Sequence, residues 1–264
     1  MFRIATWNVN SLRVRLPQVL AWLEAERPDV LALQETKLTD DEFPFDAFTP
    51  YGYHAVCAGQ KTYNGVALIT RTPVQNPLTG FPGCDDPQRR VLFAAVGEVD
   101  VLNLYVPNGA EVGSDKFEYK LWWLGKLRAF VAELLRGGRP LVVLGDFNIA
   151  PEAIDVHDPA RWEGKVLFSE PERAEFRRLL DLGLVDCFRL LNGEPGQYTW
   201  WDYRAFAFRR NMGLRIDHVL ASRDLAARCR TCEIHRDVRK AERPSDHVPV
   251  LAGFELGPGT PGTA

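Results

Sequence analysis

Apolar and polar positions follow two rhythms along this chain, one of period two and one of helical period. Residues 2–8 alternate and predict a first strand, whose end presents Asn8 and Asn10 on one face. Leu20, Trp22 and Leu23 then recur at helical spacing behind Pro17, which is expected to open a short helix that Arg27-Pro28 stops. Residues 30–35 form an apolar run closed by Glu35, a strand whose terminal carboxylate is either solvated or a metal ligand at a sheet rim.

Short period-two runs follow at 53–58, 65–70, 91–96 and 99–106, and they predict antiparallel neighbours. The last leads through Tyr105-Val-Pro-Asn108-Gly into a turn. Asp115-Lys-Phe-Glu118 has the form of a capping box with Asp as the cap, and Phe117, Leu121, Leu124, Val131 and Leu135 hold one face of a long helix until Gly137-Gly138 and Pro140. The aliphatic run 141–144 predicts a strand buried on both faces, and Gly145 ends it so that Asp146 and Asn148 reach the rim of a sheet. Ser169-Glu-Pro-Glu172 is a second capping box, opening a helix through Phe176, Leu179 and Leu180 to Gly183. Further strands are expected at 198–201, 214–220 and 247–254.

The order strand, helix, strand, meander occurs in both halves. Two sheets packed face to face with helices outside, a four-layer α/β sandwich, is the expected fold. Residues 1–256 would make one domain, and 257–264, rich in Gly, Pro and Thr, a disordered tail.

Composition narrows the function classes. The chain has 264 residues, 46% hydrophobic and 25% charged, enough to bury a large core. A net charge of -3 gives no global field for a polyanion, so a nucleic-acid partner needs a local basic face. Such a stretch exists: 203–216 contains Arg204, Arg209, Arg210 and Arg215 with no acidic residue and with aromatic residues between. Neither a signal peptide nor an 18-residue apolar stretch is present, so a soluble cytoplasmic protein is expected. Five cysteines fit reduced thiols better than disulfides. Cys229-Arg-Thr-Cys232 has no second such pair and could hold zinc only by recruiting a distant ligand such as His235, so packed thiols are the expectation.

Asn8, Glu35, Tyr105, Asn108, Asp146, Asn148, Asp217, Asp246 and His247 all stand at or just beyond strand ends, and a two-sheet sandwich would gather such ends at one rim. Carboxylates without a Cys or His cluster favour Mg²⁺ or Mn²⁺; amides, a phenol and a histidine suit a charged phosphate. Ser245-Asp246-His247 contains the residue types of a hydrolase triad, but neighbours in extended backbone point apart and no Gly-x-Ser-x-Gly occurs.

Trp7-Asn8-Val-Asn10, Leu33-Gln-Glu35-Thr-Lys37, Tyr105-Val-Pro-Asn108-Gly, Gly145-Asp146-Phe-Asn148-Ile-Ala-Pro151, Leu214-Arg215-Ile-Asp217 and Ser245-Asp246-His247-Val-Pro resemble, in order, the motifs of the exonuclease III family of abasic-site endonucleases. The resemblance implies a deoxyribonuclease I-like fold and a monomer that incises duplex DNA 5′ to abasic sites or processes blocked 3′ ends. It implies that Glu35 holds the metal, with Asn8, Asn10 or Asp246 in the same pocket. Asp146 would orient or deprotonate water, Asn148 bond to the nucleophile or phosphate, His247 paired with Asp217 donate to phosphate, and Tyr105 and Asn108 donate further. Trp200, Leu214 and Ile216 would line a pocket for a flipped sugar, beside Trp201; Arg204 would intrude on the duplex, and Arg89, Arg90, Lys61 and Arg13 would contact its backbone. Leu214, where some relatives carry Trp, and the Gly109-Ala-Glu111 loop leave the balance of abasic-site and exonuclease action open. The rivals are a superfamily phosphatase acting on a small phosphorylated substrate and a catalytically silent DNA-binding relative.

Overall fold

The computed structural model describes residues 1–256; the tail expected at 257–264 lies outside them. One sheet holds β1 (Phe2–Asn8), β2 (Val30–Gln34), β3 (His54–Ala58), β4 (Val66–Thr70), β11 (Cys229–Ile234) and β12 (Val250–Phe254), in spatial order β11-β12-β1-β2-β4-β3. The other holds the intervening strands β5 (Gln75–Thr79), β6 (Val91–Val96), β7 (Val99–Tyr105), β8 (Leu141–Asp146), β9 (Leu184–Asp186) and β10 (Asp217–Ser222), in order β5-β6-β7-β8-β10-β9. Pairing is antiparallel except for β1 with β2 and β7 with β8. Each of those two pairs is joined by a helix: α1 (Leu12–Glu26) in the first sheet, α3 (Asp115–Arg136) in the second; the short α2 (Phe45–Phe48) lies between.

Alternation sorts the side chains into layers. Ile4, Val30, Ala32, Val101, Val142, Leu144, Val219 and Val250 face the opposing sheet and form the central core. Their neighbours point outward: Trp7, Leu31 and Leu33 pack on Val19, Trp22 and Leu23 of α1. Leu102, Leu104 and Val143 pack on Trp123, Leu127 and Val131 of α3 and on Phe176 and Leu179 further on. The expected four-layer sandwich is therefore observed. Among the described residues no helix is long and apolar enough to cross a membrane, and all five cysteines are free thiols.

Several local expectations shift. Pro17 lies inside α1, which starts at Leu12; the missing amide leaves unpaired only a carbonyl on the helix's early turn. Ser114, not Asp115, caps α3, its hydroxyl accepting from the Phe117 amide at 3.2 Å, while Asp115 and Glu118 sit in the first turn. The capping box at Ser169 forms as read and opens α5 (Glu170–Asp181), after the short α4 (Pro159–Trp162). The region 198–201 makes only isolated bridges, from Trp200 to Leu214 and His247. Its tryptophans pack as loop anchors rather than as a strand. Unexpected β5 is an edge strand, exposed throughout, with Pro77 and a register shift between Gln75 and Leu78. Its lack of an apolar face hides it.

Candidate active site

Register brings the polar strand ends together. Asp146 pairs with Asp217 across β8 and β10 and with Tyr105 across β7, so all three stand at one level at the sheet's rim. Asp146 and Asp217 share the parity of the inward Val142 and Val219 and so face the opposing sheet, where Asn8 ends β1 with the parity of Ile4. One step below, Thr6, Gln34 and Asn103 form a buried polar belt: Gln34 donates to Thr6 Oγ1 at 2.9 Å and to Asn103 Oδ1 at 2.8 Å. Gly145 has a steric cause, since a Cβ there would lie 1.9 Å from the Leu104 carbonyl oxygen. Glu35 at φ 51, Asn148 at φ 50 and Asn10 at φ 44 adopt left-handed backbone at the rim. Strand parity alone would aim Glu35 outward beside Leu33; the backbone turn carries its carboxylate to the inner site.

The Asn8 amide bridges both sheets, donating to Glu35 Oε1 at 2.9 Å and to Asp146 Oδ2 at 2.8 Å. Asp146 Oδ1 accepts from the Asn148 amide nitrogen at 2.9 Å, and His247 Nε2 stands 3.7 Å from Asp146 Oδ2. His247 Nδ1 lies 2.9 Å from Asp217 Oδ2, which fixes the ring. Burial opposes charge on His247, but Asp217, Asp146 and Asp246 outweigh it and raise the ring to about 10. Burial likewise raises Asp146, with Asp217 and Glu35 reinforcing and His247 opposing, to about 7. Burial, Glu35 and Asp146 hold the Tyr105 phenol well above its usual range, so it remains an O–H donor. The Asn148 side chain donates to the Val106 carbonyl at 3.0 Å, and Asn108 donates to Asn148 Oδ1 at 3.3 Å.

Asn10 and Asp246 stand one bond further out. Asp246 accepts from Asn10 Nδ2 at 3.0 Å and from Trp200 Nε1 at 2.9 Å, while Lys37 pairs with Glu35 at 3.0 Å. Ser245 donates to the Asn8 carbonyl at 2.7 Å and accepts from the His247 amide, so its hydroxyl braces the loop. Glu35, Asp146 and His247 each offer an atom within 4.8 Å of the others. Two facing carboxylates are hard oxygen donors, and a cation would relieve the raised Asp146, so this set fits a hard divalent cation.

The basic face is only partly as expected. Arg204, Arg209, Arg210, Arg89, Lys61 and Arg13 are exposed, with Arg204 paired to Asp202 and Arg13 to Glu42. Arg90 lies over the Tyr105 ring at 4.6 Å, and with Lys116 it lines a cavity of about 320 Å³ beside Asn108. Arg215 is a correction. It is 1% exposed, donates to Asp155 at 2.7 Å and pairs with Asp186 at 2.8 Å, so its charge is spent inside the fold rather than on a duplex. Leu214, Ile216 and Trp201 are also buried, the first two in a cluster with Leu167 and Phe168, whereas Trp200 lines a cavity.

Residue-by-residue reading misses Lys120. It is fully buried on the inner face of α3, and its ammonium donates to the carbonyls of Asn148 at 2.7 Å and Asn108 at 3.1 Å and to Glu172 Oε1. The available signal is a lysine at helical spacing among Phe117, Leu124 and Leu127.

A sandwich whose two sheets meet in carboxylates, amide donors and a carboxylate-held imidazolium defines a hydrolase of phosphate esters. Its kinship is specific: the chain belongs to the Endonuclease/Exonuclease/phosphatase family, whose pattern matches residues 5–247, and to the exonuclease III branch within it. It is 38% identical to exodeoxyribonuclease III of Haemophilus influenzae, over 96% of this chain and 100% of that protein. Among solved structures, the 3′ phosphatase NExo from Neisseria bound to product DNA hairpin is 48% identical, with TM-score 0.95 over 97% of this chain and 100% of that one. An AP endonuclease from Archaeoglobus fulgidus is 39% identical, with TM-score 0.94 over the same shares.

Proposed function

We propose that this DNA-repair nuclease hydrolyses the DNA backbone in one step, 5′ to abasic sites in duplex DNA and at blocked or recessed 3′ ends. The carrying observation is that Asp146 and His247 Nε2 face each other at 3.7 Å across the seam of the two sheets, with one carboxylate and one imidazolium available to the same phosphate.

Asp146, held by Asn8 and the Asn148 amide, accepts the proton of an attacking water. His247 enters charged and donates from Nε2 to a non-bridging phosphate oxygen, while Asp217 keeps Nδ1 occupied. Tyr105, Asn108 and Asn148 supply further donors around the developing charge. Magnesium, or manganese in its place, would be held by Glu35 with Asn8 beside it and Asn10 and Asp246 behind, and when bound it neutralises phosphate charge and stabilises the leaving 3′ oxygen. The exposed arginines, Lys61 and Arg90 would grip the duplex backbone, Arg204 would intrude on the duplex and Trp200 would line the pocket for the displaced sugar. The protein would act in the cytoplasm as a monomer.

The test is a duplex assay with abasic, recessed and 3′-phosphate ends, with magnesium and then with chelator. Incision that stops with chelator and with Asp146→Asn is expected. Intact duplex alongside phosphate release from inositol polyphosphates would instead establish the small-substrate phosphatase; binding without any turnover would establish the silent relative.

A further inference from the structure

Successive residues of β10 face opposite sides of the second sheet. Asp217 points inward and holds His247; His218, beside it, points outward beneath the loop 146–150 and has no role in the chemistry above. His218 is fully buried, its ring centre 5.3 Å from that of Phe147 and 4.9 Å from that of Phe176. Both ring nitrogens are engaged. Arg215 Nη1 lies 2.9 Å from Nδ1, and a guanidinium can only donate, so Nδ1 is the acceptor. Nε2 then carries the proton and donates to the Ile149 carbonyl at 2.8 Å. Burial and the Arg215 charge lower the ring to about 4, so above that pH it stays neutral in this one tautomer. Behind it, Asp155 and Asp186 fix the guanidinium.

We infer that His218 is a positioning residue: it fixes the turn at Asn148 whose backbone amide holds Asp146, and so sets the aim of the carboxylate that takes the proton from water. This rests on the nuclease reading above, in which Asp146 is that acceptor. Asn148 has a left-handed φ of 50, and a non-glycine residue keeps such a conformation where its surroundings over-determine it. Two buried donors do so on consecutive carbonyls, Lys120 on Asn148 at 2.7 Å and His218 on Ile149. The Asn148 amide nitrogen is thereby placed 2.9 Å from Asp146 Oδ1. Among the described residues no other group donates to the Ile149 carbonyl, and an apolar side chain at 218 would fill the space and leave it bare. One strand thus orients both proton-handling groups, Asp217 the imidazolium from its inner face and His218 the carboxylate from its outer face.

The test compares the parent full chain with His218→Phe and His218→Gln, in magnesium, on one duplex with an internal abasic site and one with a 3′-phosphate. Phenylalanine keeps the ring volume and loses both hydrogen bonds; glutamine keeps an acceptor for Arg215 and a donor for Ile149. His218→Phe should lower kcat roughly tenfold on both duplexes with KM within about twofold, because the loss is one of aim rather than of binding. It should also move the acidic limb of kcat/KM to higher pH, since a weakened bond from the Asn148 amide no longer favours the ionised Asp146. His218→Gln should restore both the rate and the limb. If His218→Phe does not fold, His218→Asn takes its place: it keeps an acceptor for Arg215, is too short to reach Ile149, and should show the same two changes. A lowered melting temperature with rate per folded molecule and acidic limb both unchanged marks a merely structural histidine and overturns the inference, as does a slowed enzyme whose acidic limb stays in place. A parent protein that cuts neither duplex sinks the nuclease reading itself, and this inference with it.

Discussion

His247 Nδ1 sits 2.9 Å from Asp217 Oδ2, and this contact crosses between the two sheets. The ring is raised to about 10 and Asp146 to about 7. In the proposed mechanism cleavage requires Asp146 ionised and His247 protonated. The rate should therefore climb as pH rises through about 7 and fall as it rises through about 10. Removing the Asp217 charge takes away a cause of the high value, so Asp217→Asn should move the alkaline limb to lower pH. A profile of kcat/KM against pH in both proteins reads this directly; an unmoved alkaline limb rejects His247 as the titrating donor.

Metal should displace the acidic limb. A cation beside Glu35 and Asp146 favours the ionised carboxylate, so saturating magnesium should shift the lower limb below its position at limiting metal. Glu35→Gln should weaken this response, measured as a higher metal concentration for half-maximal rate.

Lys120 should act as a brace. With both partners fully buried, Lys120→Met leaves Glu172 uncompensated and should cost about 3–5 kcal/mol in denaturant unfolding. A double variant, Lys120→Met with Glu172→Leu, should regain much of that stability. It should still turn over slowly, because the Asn108 and Asn148 carbonyls lose their shared donor. Recovery of both stability and rate would show the ammonium to be dispensable for positioning.

Arginines of the 203–216 stretch should divide by burial. Arg209→Ala or Arg210→Ala should lower the salt dependence of duplex binding, the slope falling by about 1 for each phosphate that is no longer neutralised, and leave the melting temperature nearly unchanged. Arg215→Ala should do the reverse, destabilising the fold while leaving the salt slope intact, because Asp186 would lose its arginine and Asp155 would keep only Arg189. Fluorescence anisotropy over a salt series, with melting curves, separates the two.

How far these features are legible in the sequence depends on the distance over which each is decided. Asp146 and Asn148 are legible because Gly145 ends an apolar run, and the layer order follows from alternation. Glu35 is legible as a strand-end acid, but its aim depends on a backbone angle of 51° that no pattern announces. Arg215 reads as part of a basic surface because its partners come from remote elements, Asp155 being 60 residues away. Lys120 reads as an interruption of a helix face for the same reason. Its three acceptors exist only once two loops and α5 have packed over it.

The bridge from Asn8 to Asp146 has a consequence for how the chain can be divided. The second sheet is one uninterrupted stretch of sequence, residues 75–222, framed by the strands of the first. Asp146, Asn148, Tyr105 and Asp217 travel with the inner stretch; Asn8, Glu35 and His247 travel with the frame. Neither piece carries half an activity, since every proton-handling pair has one member in each. Inheritance of the chemistry is therefore all or nothing: a recombination joint falling between the two sheets swaps partners on both sides of the seam at once.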